Sequence, residues 1–223
     1  MPICGPLVPG VAGSLRSSYP SADDGRVIRS SLLVVVASLA LGALTSWAQG
    51  VLPDALASFA NSPSGWTLLT VLLVAAARPS IAVGSVLGVA SFVSLVLGYQ
   101  LGSAVRGLTY DPTLWGVVGV IAGPFVGAAA AAIVGRRVLP AVLGAGALAG
   151  VLVSDGIYGL TVVADSTSPV YWTLCLVAGT VLVLVVAARL RSVAAGGLLL
   201  ATAAAATGVL SLGYGVLNAG FSG

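Results

Sequence analysis

Histidine, lysine and glutamate are absent from the 223-residue sequence, and only 7% of its residues are charged. All nine basic residues are Arg and all six acidic residues are Asp. Without His, and with Cys4 and Cys175 far apart, the sequence predicts no transition-metal site, no cofactor and no disulfide. The Arg residues form no basic stripe, which argues against nucleic-acid binding.

Hydrophobic residues make up 58% of the chain, and its mean hydropathy is +1.12. Soluble domains average about 25% charged residues, so this composition is typical of a membrane protein. A membrane-spanning helix needs about 20 residues. Apolar residues form seven runs, and all of them except the second reach this length. The runs cover residues 30–49, 64–77, 80–104, 113–134, 138–163, 169–188 and 193–217. We predict an all-α fold, a polytopic transmembrane bundle of seven helices.

The second run, 64–77, is only about 21 Å long as a helix. Pro63 opposes an extension upstream, and Pro79 ends the helix downstream. Either this helix is short and begins below the membrane surface, or residues 52–61 enter the membrane as a half-helix. The second possibility matters for function, because interrupted helices expose backbone groups to ligands.

The Arg residues predict the orientation, because cytoplasmic loops carry the excess of positive charge. With a cytoplasmic N-terminus and seven crossings, every Arg except Arg106 lies inside, and the C-terminus lies outside. We therefore expect a multi-pass protein of the cell membrane. It has a disordered cytoplasmic tail at 1–29, the bundle at 30–217 and a short outer tail at 218–223. A cleaved signal peptide around the first run is the less favoured alternative.

Asp155 is the only acidic residue inside any apolar run. An ionisable group at that depth is costly and is a functional-site hypothesis by default. Tyr158 follows three residues later and shares its helix face. Arg106, as the only outer Arg, is the expected charged partner of Asp155.

Polar and aromatic side chains concentrate in the outer halves of the runs, while the inner halves hold mainly Val, Leu, Ala, Gly and Ser. This distribution predicts an outward-facing pocket with aromatic walls and Asp155 at its floor. For most of the Trp and Tyr, an interfacial aromatic belt is the alternative explanation. The predicted ligand-binding residues are Asp155, Tyr158, Trp66, Asn61, Tyr99, Gln100, Arg106, Trp172, Tyr214 and Asn218.

Small residues four apart allow helices to approach closely. Gly119, Gly123 and Gly127 form such a series, which predicts packing within the bundle. In the first run, Ser38 and Gly42 belong to a similar stripe, which we expect to face a membrane protein partner.

Three stretches carry a resemblance to a known family: Leu44 to Gln49, Phe59 to Leu68, and Trp115 to Gly127. Together they resemble a family of small, uncharacterised actinobacterial membrane proteins, for which no activity is assigned. The layout is also similar to that of the substrate-binding subunits of energy-coupling-factor vitamin transporters. That likeness implies ligand binding from outside by the loops between helices, but this chain has one helix more than those subunits.

The leading functional hypothesis is small-solute binding or transport through the outward-facing pocket. The alternative is a non-catalytic assembly subunit that docks another membrane protein. We expect no enzymatic activity, because no His can act as a general base and no Ser-x-x-Lys or Gly-x-Ser-x-Gly pattern occurs. The expected surroundings are the lipid bilayer, a possible small solute and a possible membrane protein partner.

Overall fold

A computed structural model of the protein describes residues 22–221, with the side chains of residues 25–219. Within that range the chain is helical and contains no strand. The helices are α1 (Ala22–Val51), α2 (Asp54–Ala57), α3 (Pro63–Ala77), α4 (Ile81–Val105), α5 (Thr113–Val134), α6 (Val138–Thr161), α7 (Pro169–Arg189) and α8 (Val193–Phe221). A 3₁₀ turn, Ser58–Asn61, connects α2 with α3. The predicted all-α fold is confirmed.

Six of the described helices, α1 and α4 to α8, are long and apolar enough to cross a membrane. The segment Asp54–Asn61 and helix α3 form a pair that is bent by 68°, and the pair counts as a seventh span if it crosses as one unit. The second apolar run is thus both short and preceded by a helical segment at a steep angle. Ser62 is extended between the two parts (φ −130°, ψ 149°), and Pro63 opens α3.

The two ends of the bundle differ in composition, and we name them by their residues. At the tryptophan end, α3, α5 and α7 begin with the same Pro-x-x-Trp pattern, at Pro63–Trp66, Pro112–Trp115 and Pro169–Trp172. The arginine end is the opposite end, where α3, α5 and α7 finish and where Arg78, Arg136, Arg137, Arg189 and Arg191 lie.

The first and last helices extend beyond the predicted bundle of 30–217. Helix α1 begins at Ala22, so the prediction of a disordered tail is wrong for residues 22–29, and residues 1–21 lie outside the described range. Val27 and Ile28 continue the apolar sequence towards the N-terminus and explain the longer helix. Helix α8 reaches Phe221, so residues 218–221 of the predicted outer tail are helical as well.

Helix α4 lies between α1 and α5, while α6 packs against α5, α7 and α8. Short helix α3 is inserted beside α1, α4, α5 and α6. One apolar core cluster joins four helices, through Val34 of α1, Val74 of α3, Leu87 of α4 and Ala130 of α5. Helix α3 is therefore a central element of the bundle, although it is shorter than each of the helices that it contacts. Its first turn lies at the tryptophan end and positions the residues around it.

Helices α4 and α5 approach each other along facing glycines. A Cβ atom added at Gly123 would lie 2.7 Å from the Cα atom of Val89, and one at Gly127 would lie 2.7 Å from that of Gly88. Backbones this close leave no room for larger side chains, so the predicted packing role of Gly123 and Gly127 is confirmed.

The small residues of α1 face α4 rather than a partner protein. Ser38 is fully buried and hydrogen-bonds to Ser91 at 2.8 Å, and Ser46 bonds to Ser103 at 3.0 Å. A Cβ atom added at Gly42 would overlap the backbone of Leu95. The expectation that Ser38 and Gly42 dock another protein is therefore wrong, because α4 of the same chain already occupies that face.

Gly127→Ala should destabilise the bundle by about 1–3 kcal/mol, because the added methyl group meets the backbone of α4. Gly116→Ala is a matched control on the same helix, since nothing lies within 4 Å of its added Cβ atom. Thermal unfolding in detergent should show a lower Tm for Gly127→Ala and an equal or higher Tm for Gly116→Ala. Equal losses in both variants would contradict close α4–α5 packing.

Candidate functional site

Asp155 is fully buried in α6, and both of its carboxylate oxygens accept hydrogen bonds from other helices. The backbone N–H of Ser64, in the first turn of α3, donates to Oδ2 at 2.7 Å. The hydroxyl of Tyr214, on α8, donates to Oδ1. Asp155 therefore joins three helices, and its carboxyl group lies at the N-terminal, positive end of the α3 dipole.

The first turn of α3 has every backbone donor satisfied. Pro63 has no N–H, Ser64 donates to Asp155, and Gly65 donates to the hydroxyl of Ser62 at 3.1 Å. Trp66 then makes the first helical bond, to the carbonyl of Ser62 at 3.1 Å. Because lipid offers no partner for an unpaired N–H, a helix that begins inside the bundle requires this complete set of acceptors.

Hydroxyl groups continue the network from Asp155 towards α7. The hydroxyl of Tyr171 lies 2.8 Å from the hydroxyls of both Ser62 and Ser64, and the Ser64 hydroxyl lies 3.5 Å from the thiol of Cys175. We call Asp155, Ser62, Ser64, Tyr171 and Tyr214 the aspartate cluster. These side chains fix the start of α3 relative to α6, α7 and α8.

An aromatic ring pair covers one side of the aspartate cluster. Tyr158 stacks on Tyr214 with ring centroids 3.9 Å apart and planes 9° from parallel, and its hydroxyl donates to Asn218 Oδ1 at 3.4 Å. Ser154 links the same two helices through Ser211 at 2.9 Å. Helices α6 and α8 are thus joined by polar contacts on both sides of Asp155.

A second feature of the tryptophan end is a narrow cleft, which we call the aromatic cleft. It is lined by Asn61, Ser62, Pro63, Trp66, Phe92, Tyr99, Tyr110, Trp115 and Val118. Its volume, counted to the open mouth, is about 380 Å³. The cleft is therefore an opening for a small group, with five aromatic rings among its nine lining residues.

The walls of the aromatic cleft are held by the 3₁₀ turn before α3. The carbonyl of Ala60 accepts from the indole N–H of Trp66 at 3.1 Å and from the Gln49 amide at 3.3 Å. The same Gln49 accepts from the hydroxyl of Tyr99 at 3.2 Å. These hydrogen bonds connect Trp66, Tyr99 and helix α1 to the break between α2 and α3.

Tyr110 reaches the cleft from the segment between α4 and α5. Its ring is 4.6 Å from that of Tyr99 at an interplanar angle of 66°, an edge-to-face contact. Burial, together with the neighbouring Tyr99 and Asp111, raises the pKa of Tyr110 to about 12. At neutral pH its hydroxyl is therefore a neutral hydrogen-bond donor at the cleft.

The predicted ligand-binding residues fall into three groups. In or beside the aspartate cluster lie Asp155, Tyr158, Trp172, Tyr214 and Asn218; in the aromatic cleft lie Asn61, Trp66 and Tyr99; elsewhere lie Gln100 and Arg106. Asp155 is not the floor of the aromatic cleft, because the first turn of α3 separates the two features. The predicted single pocket is thus two adjacent sites that share Ser62.

Arg106 does not pair with Asp155, so that prediction is wrong. Its guanidinium donates to the backbone carbonyl and the hydroxyl of Ser46 and lies 5.4 Å from the ring centre of Trp47. Arg106 ends α4, which packs against α1, and its charge lies against the C-terminal part of α1.

Gln100 lies outside both features, and Trp172 lies beside the aspartate cluster, with its ring centroid 5.0 Å from that of Tyr171. Trp172 is buried between α6 and α7, where its indole N–H donates to Thr167 at 2.8 Å and its ring fills the space beside Gly159. Gln100 is half-buried on α4 and does not line the cleft. Trp172 packs α7 closely against α6.

Ser62 belongs to both sites and Ser64 to the aspartate cluster, yet neither residue is among the predicted ligand-binding residues. The local signal is present in Ser62-Pro63, because Ser is favoured as an N-cap and Pro at the first helical position. The remote partners Tyr171 and Cys175 are more than 100 residues away in sequence, and only the fold brings them to this helix start.

A family profile matches residues 21–219, nearly the whole chain and all of its described spans. The chain belongs to the family of unknown function DUF6518. No curated protein and no solved structure matches it. The predicted membership of an uncharacterised family is confirmed, while the similarity of layout to energy-coupling-factor subunits stays a prediction.

Asp155→Ala should destabilise this DUF6518 protein by roughly 2 kcal/mol or more, since the Ser64 N–H and the Tyr214 hydroxyl are left buried without their acceptor. Asp155→Asn should cost less, because its amide oxygen still accepts from Ser64 and its NH₂ group still meets Tyr214. Chemical unfolding in detergent measures both values. Equal stability of Asp155→Ala and wild type would contradict an anchoring role.

Tyr110 should titrate only near pH 12, against an ordinary value of 10.0. Because its folded-state pKa is raised, its contribution to stability is complete below pH 10 and declines as the pH rises to about 12. The phenolate absorbance of wild type minus that of Tyr110→Phe reports the transition. A midpoint at the ordinary value would show that the ring is not buried at the cleft.

Proposed function

We propose that this membrane protein binds a small solute from outside, as a transport-type protein, with the aromatic cleft as the solute site. The observation that carries the proposal is the double role of the break between α2 and α3. Asn61, Ser62 and Pro63 form one wall of the cleft, while Ser62 and Ser64 connect the same break to the aspartate cluster.

The cleft has the chemistry expected of a small-molecule site, an apolar lining with a few polar groups. The polar groups at its rim are free to meet a solute. Within the described residues, the amide of Asn61, the hydroxyl of Tyr110 and the indole N–H of Trp115 make no hydrogen bond. Each can therefore donate to or accept from a ligand without breaking a bond inside the protein.

The broken helix supports a transport-type role. In many transporters, substrates bind near helices that are interrupted inside the membrane, where helix ends and unwound backbone are exposed. Here the start of α3 lies at the depth of Asp155, and the segment before it is bent by 68°. A solute in contact with Asn61 and Pro63 therefore lies next to the N-terminus of α3, to which Asp155 is hydrogen-bonded.

The bias of Arg supports the direction of access. The tryptophan end contains Arg106 as its one Arg in the described range, while the opposite end holds the cluster of Arg78, Arg136, Arg137, Arg189 and Arg191. Under the positive-inside rule, the cleft opens to the outside of the cell membrane and the N-terminus is cytoplasmic.

The alternative function is that of a non-catalytic assembly subunit. In that case the docking face lies on α8, because α4 covers the small residues of α1. Nothing lies within 4 Å of a Cβ atom added at Gly196, Gly197, Gly208, Gly213 or Gly215. Open glycines on a lipid-facing helix permit close contact with another helix. This role predicts a stable co-purifying membrane protein that Gly208→Leu releases.

A thermal-shift screen of the detergent-purified protein tests solute binding, with vitamins, nucleosides, amino acids and organic cations as probes. A bound solute at about 100 times its Kd stabilises the folded state by about 2.7 kcal/mol. The stabilisation should disappear in Trp115→Ala and persist in Phe125→Ala, whose ring is 73% exposed outside the cleft. No hit in the screen, or a hit that Trp115→Ala leaves intact, would overturn the proposal.

A further inference from the structure

We propose that the solute of the aromatic cleft is a small organic cation, such as a substituted ammonium group. The inference rests on the proposed function and adds the chemical class of the ligand. It is carried by the ring composition of the cleft, by the position of its nearest charges and by its size.

Aromatic rings from four parts of the chain line the cleft. Trp66 of α3 lies 5.7 Å from Tyr99 and 6.3 Å from Phe92 of α4, and Tyr110 of the following segment meets Tyr99 at 4.6 Å. Trp115 of α5 completes the lining. Ring faces carry negative potential, and groups of such rings are the established way in which proteins hold quaternary ammonium ligands.

The charges around the cleft favour a cation over an anion. No Arg lines it, and Arg106 is directed away to Ser46 and Trp47. Asp111 follows Tyr110, and its carboxylate accepts from the hydroxyl and the backbone N–H of Thr113 at 2.6 and 2.9 Å. Those bonds hold the pKa of Asp111 below its usual range, so it is ionised at neutral pH.

The other surface charges of this end have the same sign. Asp54 at the start of α2 and Asp165 between α6 and α7 are both exposed. With Asp111 they outnumber Arg106 three to one in the described part of the tryptophan end. A field of this sign raises the local concentration of cations at the mouth of the cleft.

The size and polarity of the cleft select among cations. The cleft has a volume of about 380 Å³ counted to its open mouth, at the lower end of the range for small-molecule pockets, which favours a small ligand. A metal ion would need a set of oxygen ligands, whereas an alkylated ammonium group gives up little hydration when it contacts rings. The free carbonyl oxygen of Asn61 can accept from a remaining N–H of the ligand.

The test compares choline and tetramethylammonium with 3,3-dimethylbutan-1-ol, the neutral carbon isostere of choline, at matched chloride concentration. Binding to the purified protein in nanodiscs is followed by tryptophan fluorescence and by thermal shift. We expect the cations to bind at least about fivefold tighter than the neutral isostere, in the range that cation–π contacts provide.

Paired substitutions separate ring electrostatics from shape. Tyr110→Phe and Trp115→Phe keep a ring and should retain the affinity for choline within about threefold, whereas Tyr110→Leu and Trp115→Leu should each weaken it at least about fivefold. Phe125→Leu is the matched control, since that ring lies outside the cleft. Equal losses in the Phe and Leu variants would overturn the cation assignment.

The outcomes distinguish the ligand class from the site. If the neutral isostere binds as tightly as choline and the Leu variants weaken both equally, the cation class is wrong while the cleft remains a solute site. If the broader screen finds an anionic or neutral solute that depends on Trp115, the class is again wrong. If no probe of either kind shows cleft-dependent binding, both the class and the proposed function fall.

Discussion

The hydrogen bond between the Ser64 N–H and the carboxylate of Asp155 is the interaction on which the tryptophan end depends. A helix that begins inside an apolar bundle has a positive, unsatisfied end, and a lone carboxylate at the same depth has no counter-charge. Each is costly alone, and their contact offsets both costs. Because Tyr214 and Tyr171 bond to the same cluster, α7 and α8 are fixed by the interaction as well.

The same helix start connects the two parts of the site. Ser62 caps α3, bonds to Tyr171 and lines the aromatic cleft, so the cleft wall cannot move without strain on the aspartate cluster. The bent segment before it is restrained on the other side by the Trp66 and Gln49 bonds to Ala60. The break between α2 and α3 is therefore held from both sides, by the aspartate cluster and by the bonds to Ala60.

The membrane class, the helices and the importance of Asp155 follow from sequence, because hydropathy and an isolated intramembrane acid are local signals. The short second run between Pro63 and Pro79 likewise predicts the interrupted helix. The hydrogen-bond partners of Asp155 could not be predicted from the sequence. Charge alone favours Arg106, whereas one of the actual donors is the backbone N–H of Ser64, which no side-chain pattern reveals. The stripe of Ser38 and Gly42 shows the same limit: spacing identifies a packing face, and only the fold identifies the helix that covers it.

Asp155 and Asp111 have different physical roles, and the difference shows why a buried carboxyl group need not contact the proposed ligand. Both carboxyl oxygens of Asp155 accept hydrogen bonds at the N-terminal end of α3, so this group is engaged inside the bundle. Asp111 is exposed and ionised beside Tyr110, and it adds to the potential of the rings. A solute that required Asp155 directly would have to break the contact that holds α3 in place. The aromatic cleft offers a cation a favourable field without that cost, which makes ring recognition compatible with an intact bundle.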